Sequence, residues 1–271
     1  MKKDLYFVLS AFSLLALCSS CNISEDKVKT VIILDELSKP KSKITENQII
    51  QSSSLKYELY YQVYTPANYD QLEKIPSVYL LDGPWFKEEG NLPRLLDRLI
   101  DQKKIKPLIA VFVDSRNPRN PKINRRNGEF LGNEAYIRFL RDELVPKIDS
   151  SYKTYTSPDD RALIGISFGA VAAAFGGIKA PDTFHLIGCL SPATHPFPEI
   201  YDAYQNNEKL PLKFFLSTGT KNDKLEETQR LRTILKEKSY DYIYRESSEG
   251  HTWKNWKLMS DDWLIYFFEP K

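Results

Sequence analysis

The sequence is poor in cysteine and histidine, and it carries almost no net charge. Of its 271 residues, three are cysteine and three are histidine, and 38 Lys and Arg are balanced by 36 Asp and Glu to a formal net charge of +2. That balance argues against nucleic acid as the main partner, because such binding rests on a basic excess. Cys18 and Cys21 belong to an N-terminal apolar stretch, so Cys189 alone is left for the body of the protein. A disulfide framework is therefore excluded, even in a compartment that would permit one. Cys189 lies in the apolar run "HLIGCLSPA" and reads as a buried, inert thiol. Internal repeats and low-complexity blocks are also missing. What is present is apolar bulk: 42% of residues are hydrophobic and 13% aromatic. That is enough for one sizeable core in a single domain.

The N-terminus reads as an address rather than as part of the fold. "MKKDLYFVLSAFSLLALCSSC" has Lys2 and Lys3, an apolar stretch from Leu5 to Leu17, and small residues before Cys21. Charged start, apolar core and small-residue site are the parts of a secretory signal. Leu-Cys-Ser-Ser-Cys also resembles a bacterial lipoprotein box with Cys21 as the lipidated residue, since Ser20 before it is small and Leu17 before Cys18 is not. The expectation is a signal over 1–20, a lipidated N-terminus and tether over 21–50, and a catalytic domain over 51–271. The protein would be exported as an outer-membrane lipoprotein, on the periplasmic or the cell-surface side, held by its acyl chains.

The body alternates strand and helix patterns. "LKYELYYQVYTPANYD" reads as a strand ending at Pro66, "IPSVYLLDG" as a buried strand, "LPRLLDRLIDQKKI" as a helix, and "PLIAVFVD" as a strand covered on both faces. A long polar loop, "SRNPRNPKINRRNGEFLGN", precedes the helical "EAYIRFLRDELVPKIDSSY". Further strands are "RALIGI", "HLIGCLSP", "LKFFLSTGT" and "YDYIYRESS"; "GAVAAAFGGIKA", "EETQRLRTILKEKS" and "HTWKNWKLMSDDWLIYFFE" are helices. Such alternation predicts an α/β fold with a mostly parallel central sheet and helices on both faces. Sites in these sheets gather at the C-terminal strand ends. Asp82, Asp114, Ser167, Asp223 and His251 all fall at such ends.

Ser167 stands in Gly165-Ile-Ser-Phe-Gly169, between the strand "RALI" and the small-residue run "AVAAAF". Gly-x-Ser-x-Gly in a strand–turn–helix context places a serine on a sharp turn as a nucleophile. A serine hydroxyl needs a base near neutral pH. Of the three histidines, His185 enters a strand and reads as structural. His195, in a loop after a strand end, is a candidate for lining the cleft. His251 follows the last strand on the edge that carries Ser167 and is the candidate base. The orienting carboxylate is expected between Ser and His in sequence, which points to Asp223 in "STGTKND", with Glu226 as the alternative.

Taken together, "YLLDG", "PLIAVFVDSR", "RRNGEFLGN", "RALIGISFGA", "STGTKND" and "EGHTWKNW" resemble the esterase D-type branch of the α/β-hydrolases, and above all its enterochelin (ferric enterobactin) esterase-like proteins. The resemblance covers roughly residues 50–271. It implies a cofactor-free serine esterase, with no metal, that acts on a small-molecule ester. It implies an oxyanion hole made by the Phe168 amide and an amide of "LLDGPWF". In relatives the residue after Asp-Gly often supplies the second donor. Here that residue is Pro84, which has no N–H, so the Gly83 or the Trp85 amide must serve.

The loop from Asp114 to Asn133 holds Arg116, Arg119, Lys122, Arg125 and Arg126, with Asp114 and Glu129 as its acids. A cationic rim over the serine favours an anionic substrate, with Arg116 and Arg126 as the binding residues. A ferric tris-catecholate trilactone fits that rim and stands first. Trp85 and Trp253 are candidates to stack on rings. Removal of acetyl or feruloyl groups from glycans is the second reading. A tethered, non-catalytic binding protein for an anionic ligand, its oxyanion hole damaged by Pro84, is the third.

Overall fold

The computed structural model describes residues 41–270. The signal, Cys21 and residues 22–40 of the expected tether lie outside the described residues. Ser42 opens the compact unit that contains everything described below.

Residues in the last part of the expected tether form β1 (Lys43–Ile44) and β2 (Gln48–Gln51), both antiparallel to β3 (Glu58–Thr65). "KITENQII" is too short and too exposed to show a period on its own. The free edge of β3 recruits it, and that edge would otherwise present unpaired backbone groups.

β4 (Ser77–Leu81) leads into the short helix α1 (Gly83–Lys87), and α2 (Leu92–Asp101) follows. Next comes β5 (Ile109–Asp114), every residue of which is buried. The polar loop after β5 is more ordered than its composition predicts. It holds the two-stranded β6 (Arg116–Asn117) and β7 (Asn120–Asn124), then α3 (Arg126–Phe130). The next helical stretch is α4 (Glu134–Arg138), a π segment over Phe139–Leu144, and α5 (Val145–Ser151). Pro146 removes an amide and crowds the turn before it, and a π segment relieves that crowding. β8 (Arg161–Ile166) and α6 (Phe168–Lys179) carry the Gly-x-Ser-x-Gly turn between them. β9 (Leu186–Leu190), α7 (Glu199–Asn206), β10 (Lys213–Gly219), α8 (Leu225–Glu237) and β11 (Asp241–Ser247) complete the alternation. The C-terminal helix predicted as one piece is two, α9 (Trp253–Leu258) and α10 (Ser260–Phe268).

Strand order in the main sheet is β1-β3-β5-β4-β8-β9-β10-β11, with β2 also on β3. From β5 to β11 all pairs are parallel, and β3 runs antiparallel to β5. Alternate side chains feed two cores. Tyr79, Leu81 and Leu163 pack with the α4–α8 face. Val78, Leu80 and Ile164 pack with Leu96, Leu99, Trp263 and Phe268 from α2 and α10. Helices thus cover both faces, as the alternation predicts. Among the described residues, no helix is long and apolar enough to cross a membrane.

Candidate active site

Ser167 sits at the C-terminal end of β8 with φ 56° and ψ −118°, a conformation that L-residues rarely hold. Close packing imposes it. A Cβ at Gly165 would lie 2.0 Å from the Gly169 carbonyl oxygen, so strand and helix meet only because glycine stands there. The Ser167 amide donates to the Leu190 carbonyl at 2.9 Å, and its own carbonyl accepts from Ala193 at 3.2 Å. The turn is therefore tied to the end of β9.

His251 is brought to it by the loop after β11. Its Nε2 lies 2.9 Å from Ser167 Oγ, and its Nδ1 lies 2.6 Å from Asp223 Oδ1. A carboxylate can only accept here, so Nδ1 carries the proton and Nε2 is left to accept from the serine hydroxyl. The Asp223 side chain is fully shielded from solvent. Oδ1 also accepts from the Lys224 amide at 2.8 Å. Oδ2 accepts from Ser191 Oγ at 2.7 Å, the Gly219 amide at 2.5 Å and Asn255 Nδ2 at 2.8 Å. Burial alone would raise this carboxyl. The donors from His251, Ser191, Gly219 and Lys224 outweigh it and hold the pKa down at about 2. Glu226 makes no such contact and is exposed. Glu227 instead fastens the His195 loop, accepting from the Thr194 amide, from Thr194 Oγ1 at 2.9 Å and from the His195 amide at 3.0 Å.

Ser191 and Asn255 join this network, and the sequence reading missed both. Signals for both existed. Ser191 is a polar residue at the C-terminal end of a parallel strand, and Asn255 stands four residues after His251, just before Trp256. Trp256 is buried, donates from Nε1 to Ser191 Oγ at 2.9 Å, and meets the His251 ring edge-on at 5.1 Å. Trp253 packs edge-on against Phe86 and Trp256, so it braces α9 more than it faces a ligand. His195 is largely exposed, its ring 5.9 Å from that of Phe168, the residue after Ser167. His185 pairs with Asp159 at 2.7 Å, away from the others.

Trp85 is 43% exposed beside a pocket of about 30 Å³ that also touches Pro84, Ser115 and Arg116. Its amide donates to the Asp82 carbonyl at 3.0 Å and is thereby committed. The Gly83 and Phe168 amides find no acceptor among the described residues. A Cβ at Gly83 would lie 2.4 Å from the backbone of Phe112, so only glycine fits there.

Of the five basic residues expected to form a cationic rim, Arg116, Arg119 and Arg126 are paired with carboxylates. Arg116 forks onto Asp114, with contacts of 2.7–3.1 Å. Arg119 grips both oxygens of Glu58 at 2.8 Å. Arg125 lies over the Tyr57 ring at 3.9 Å. Arg126 forks onto Asp82 at 2.7–2.9 Å, and its side chain is only 13% exposed. Two of the neutralising carboxylates, Glu58 and Asp82, come from β3 and the end of β4, far from the loop in sequence. Glu129 is itself buried, and that burial lifts its pKa to about 7 against the donated bond from Tyr57.

Among the described residues, no group of three or more His, Cys, Asp or Glu side chains is gathered to hold a metal. The burial of the Cys189 thiol pushes its pKa far up, and Sγ lies 3.4 Å from the Ala170 carbonyl oxygen, which makes it a core group.

The chain is similar in sequence and fold to known proteins. The chain is 26% identical over 230 residues to the uncharacterised protein YjcH of Bacillus subtilis (strain 168), covering 80% of this chain and 95% of that one. It is 31% identical over 151 residues to the endo-1,4-beta-xylanase/feruloyl esterase of Xylanibacter ruminicola, covering 52% of this chain and 20% of the relative. Its fold matches the enterobactin esterase of Shigella flexneri with a TM-score of 0.73 at 20% identity, over 84% of this chain and 60% of that one. The profile of the putative esterase family matches residues 52–259. Fold, strand-end serine and that match across most of the chain agree: this protein belongs to the putative esterase family of α/β-hydrolases and is a carboxylic ester hydrolase.

Proposed function

We propose that the protein is a serine esterase in which Ser167 is the nucleophile, His251 the base and Asp223 the group that orients it. The observation that carries this reading is the unbroken hydrogen-bonded chain from Ser167 Oγ through His251 to a five-donor Asp223. His251 Nε2 takes the Ser167 proton as Oγ bonds to the ester carbonyl carbon. The Gly83 and Phe168 amides hold the resulting oxyanion, and Asp223 stabilises the imidazolium. His251 returns the proton to the leaving alkoxide, and the alcohol departs. Water, deprotonated by His251, then opens the acyl-enzyme and releases the acid with Ser167 restored.

The substrate class we favour is an uncharged acyl ester of a glycan, with an aromatic or acetyl acid. Three observations support it. Three of the arginines that would attract a tris-anionic siderophore are already paired, with Asp114, Glu58 and Asp82. Trp85, exposed near the serine-bearing edge, offers a ring face for stacking. The relative named as an endo-1,4-beta-xylanase/feruloyl esterase is 31% identical over 151 residues, against 26% over 160 residues for one named as an iron(III) salmochelin esterase. The lipobox at Cys21 supports attachment to a membrane, where polymer fragments would be met.

Product analysis by mass spectrometry tests this. The protein is incubated with feruloylated and acetylated oligosaccharides and with ferric enterobactin, with Ser167→Ala in parallel. Release of ferulate or acetate that depends on Ser167 is expected. Opening of the trilactone alone would make it a siderophore esterase. Inertness towards every ester would favour a tethered binding protein.

A further inference from the structure

We propose that Arg126 is a positioning residue that sets the spacing of the two oxyanion-holding amides, rather than a receptor for an anionic substrate. This rests on the esterase reading above, and it assigns a role to a side chain that the reaction steps do not use.

The argument starts from what one guanidinium touches. Nε and one terminal nitrogen of Arg126 fork onto the Asp82 carboxylate at 2.7–2.9 Å. The same terminal nitrogen donates to the carbonyl of Ile166 at 3.1 Å. Asp82 is the residue before Gly83, and Ile166 is the residue before Ser167. The bridge thus joins the two backbone segments that present the Gly83 and Phe168 amides. Each segment is held on its far side, β4 by β5 as far as Leu81 and β8 by β9 as far as Ile166, but the ladder between β4 and β8 themselves stops at Leu80 and Ile164. Beyond Leu81 and Ile166 the two chains turn into separate helices. The Arg126 bridge supplies a direct link between them there.

Three rings enclose the crosslink. The guanidinium carbon lies 5.3 Å from the Phe168 ring centre, 5.3 Å from that of Phe130 and 5.6 Å from that of Trp85. Phe168 belongs to the nucleophile turn and Trp85 to α1, so the cation packs against both segments that it ties. Asp82 is held with φ 65°, which aims its carboxylate across the gap. A Cβ at Gly169 would stand 3.2 Å from Asp82 Oδ2, so the carboxylate fits flush on the start of α6. A planar fork matches a carboxylate at two points and leaves a third donor for a carbonyl, and lysine cannot reproduce that. Oxyanion donors act only when they lie about 2.7–3.1 Å from the developing charge. A shift of either segment by a fraction of an ångström would therefore be felt in turnover and not in ground-state binding.

The test compares Arg126→Gln, Arg126→Lys, Asp82→Asn and the Arg126→Gln/Asp82→Asn pair with the parent protein. Substrates are a neutral ester, p-nitrophenyl acetate, and an anionic one, p-nitrophenyl hemisuccinate. For a positioning role kcat falls about 10²-fold on both esters, with KM within about threefold. Asp82→Asn alone gives a similar loss, the pair is no worse than either single variant, and lysine rescues only in part. A loss seen only in KM of the anionic ester would make Arg126 a substrate receptor and overturn the proposal, as would unchanged kcat in Arg126→Gln. A crystal structure of Asp82→Asn supplies the readout that needs no turnover: the separation of the Gly83 and Phe168 amide nitrogens must change. An unchanged separation overturns the clamp even where variants fold poorly or the chosen ester is inert. A parent protein without Ser167-dependent hydrolysis would instead count against the esterase reading itself.

Discussion

Asp223 shows how one side chain can be buried, charged and restrained at once. Five donors converge on its two oxygens, so the ionised form is favoured although the group is out of water. With its folded pKa held at about 2 against an ordinary value of 3.8, the ionised group stabilises the fold above the ordinary value. That contribution is lost as pH falls through the folded value. The stability difference between the parent and Asp223→Asn should therefore be full near neutrality, shrink below about pH 4 and be lost only below about pH 2. Urea titrations across that range check it. At neutral pH kcat in Asp223→Asn should fall by roughly 10³–10⁴, because an amide can present N–H to Nδ1 and invert the tautomer. Asn255→Ala removes only one of the five donors and should cost roughly tenfold.

At the scale of elements, the short helix α3 explains why a polar loop becomes ordered. Its Glu129 is buried under Tyr57 of the segment before β3, beside Ser115 and Tyr136. Glu129 Oε2, Ser115 Oγ and the Tyr136 hydroxyl are all buried without a hydrogen-bond partner. Such a carboxyl prefers to be neutral, and its pKa is raised to about 7 from 4.5. The sign follows: the fold binds this proton more tightly than the unfolded chain does. Its contribution is complete below the ordinary value and is lost as pH rises through about 7. Glu129→Gln, which keeps the neutral shape, should gain of order 2–3 kcal/mol on the parent between pH 5 and pH 8. Thermal melts at both pH values measure it. The same helix presents Arg126, so anchoring Glu129 also fixes the base of the proposed clamp.

For the whole molecule, charge is arranged as local pairs rather than as a field. Arg116, Arg119 and Arg126 each meet a carboxylate, two of them from distant strands. Long-range steering of an anionic ester should accordingly be weak. We expect kcat/KM for neutral and anionic esters alike to change less than about twofold between roughly 0.02 and 0.5 M salt. A steep fall for the anionic ester alone would show that the pairs open on binding.

Much of this was legible before any coordinates. Parallel strands buried on both faces announce themselves as unbroken apolar runs, so β4, β5, β8, β9 and β10 were read from composition. Gly165-x-Ser167-x-Gly169 carries its own local geometry, and chain order with strand-end position points to His251 and to Asp223, with Glu226 left as the alternative. By contrast, β1 and β2 exist because β3 has an edge to cover, and no local pattern marks that need. The cationic rim was misjudged because charge was counted along the loop, while Glu58 and Asp82 reach it through space. Ser191 and Asn255 are ordinary polar residues until the ends of β9 and α9 bring them to one carboxylate. Periodicity and motif are short-range properties, and the sequence by itself determined the fold class and singled out the side chains proposed to react. Which charges are cancelled, and which backbone amides stay free, depends on contacts between segments far apart in the chain. Only the tertiary structure decided those.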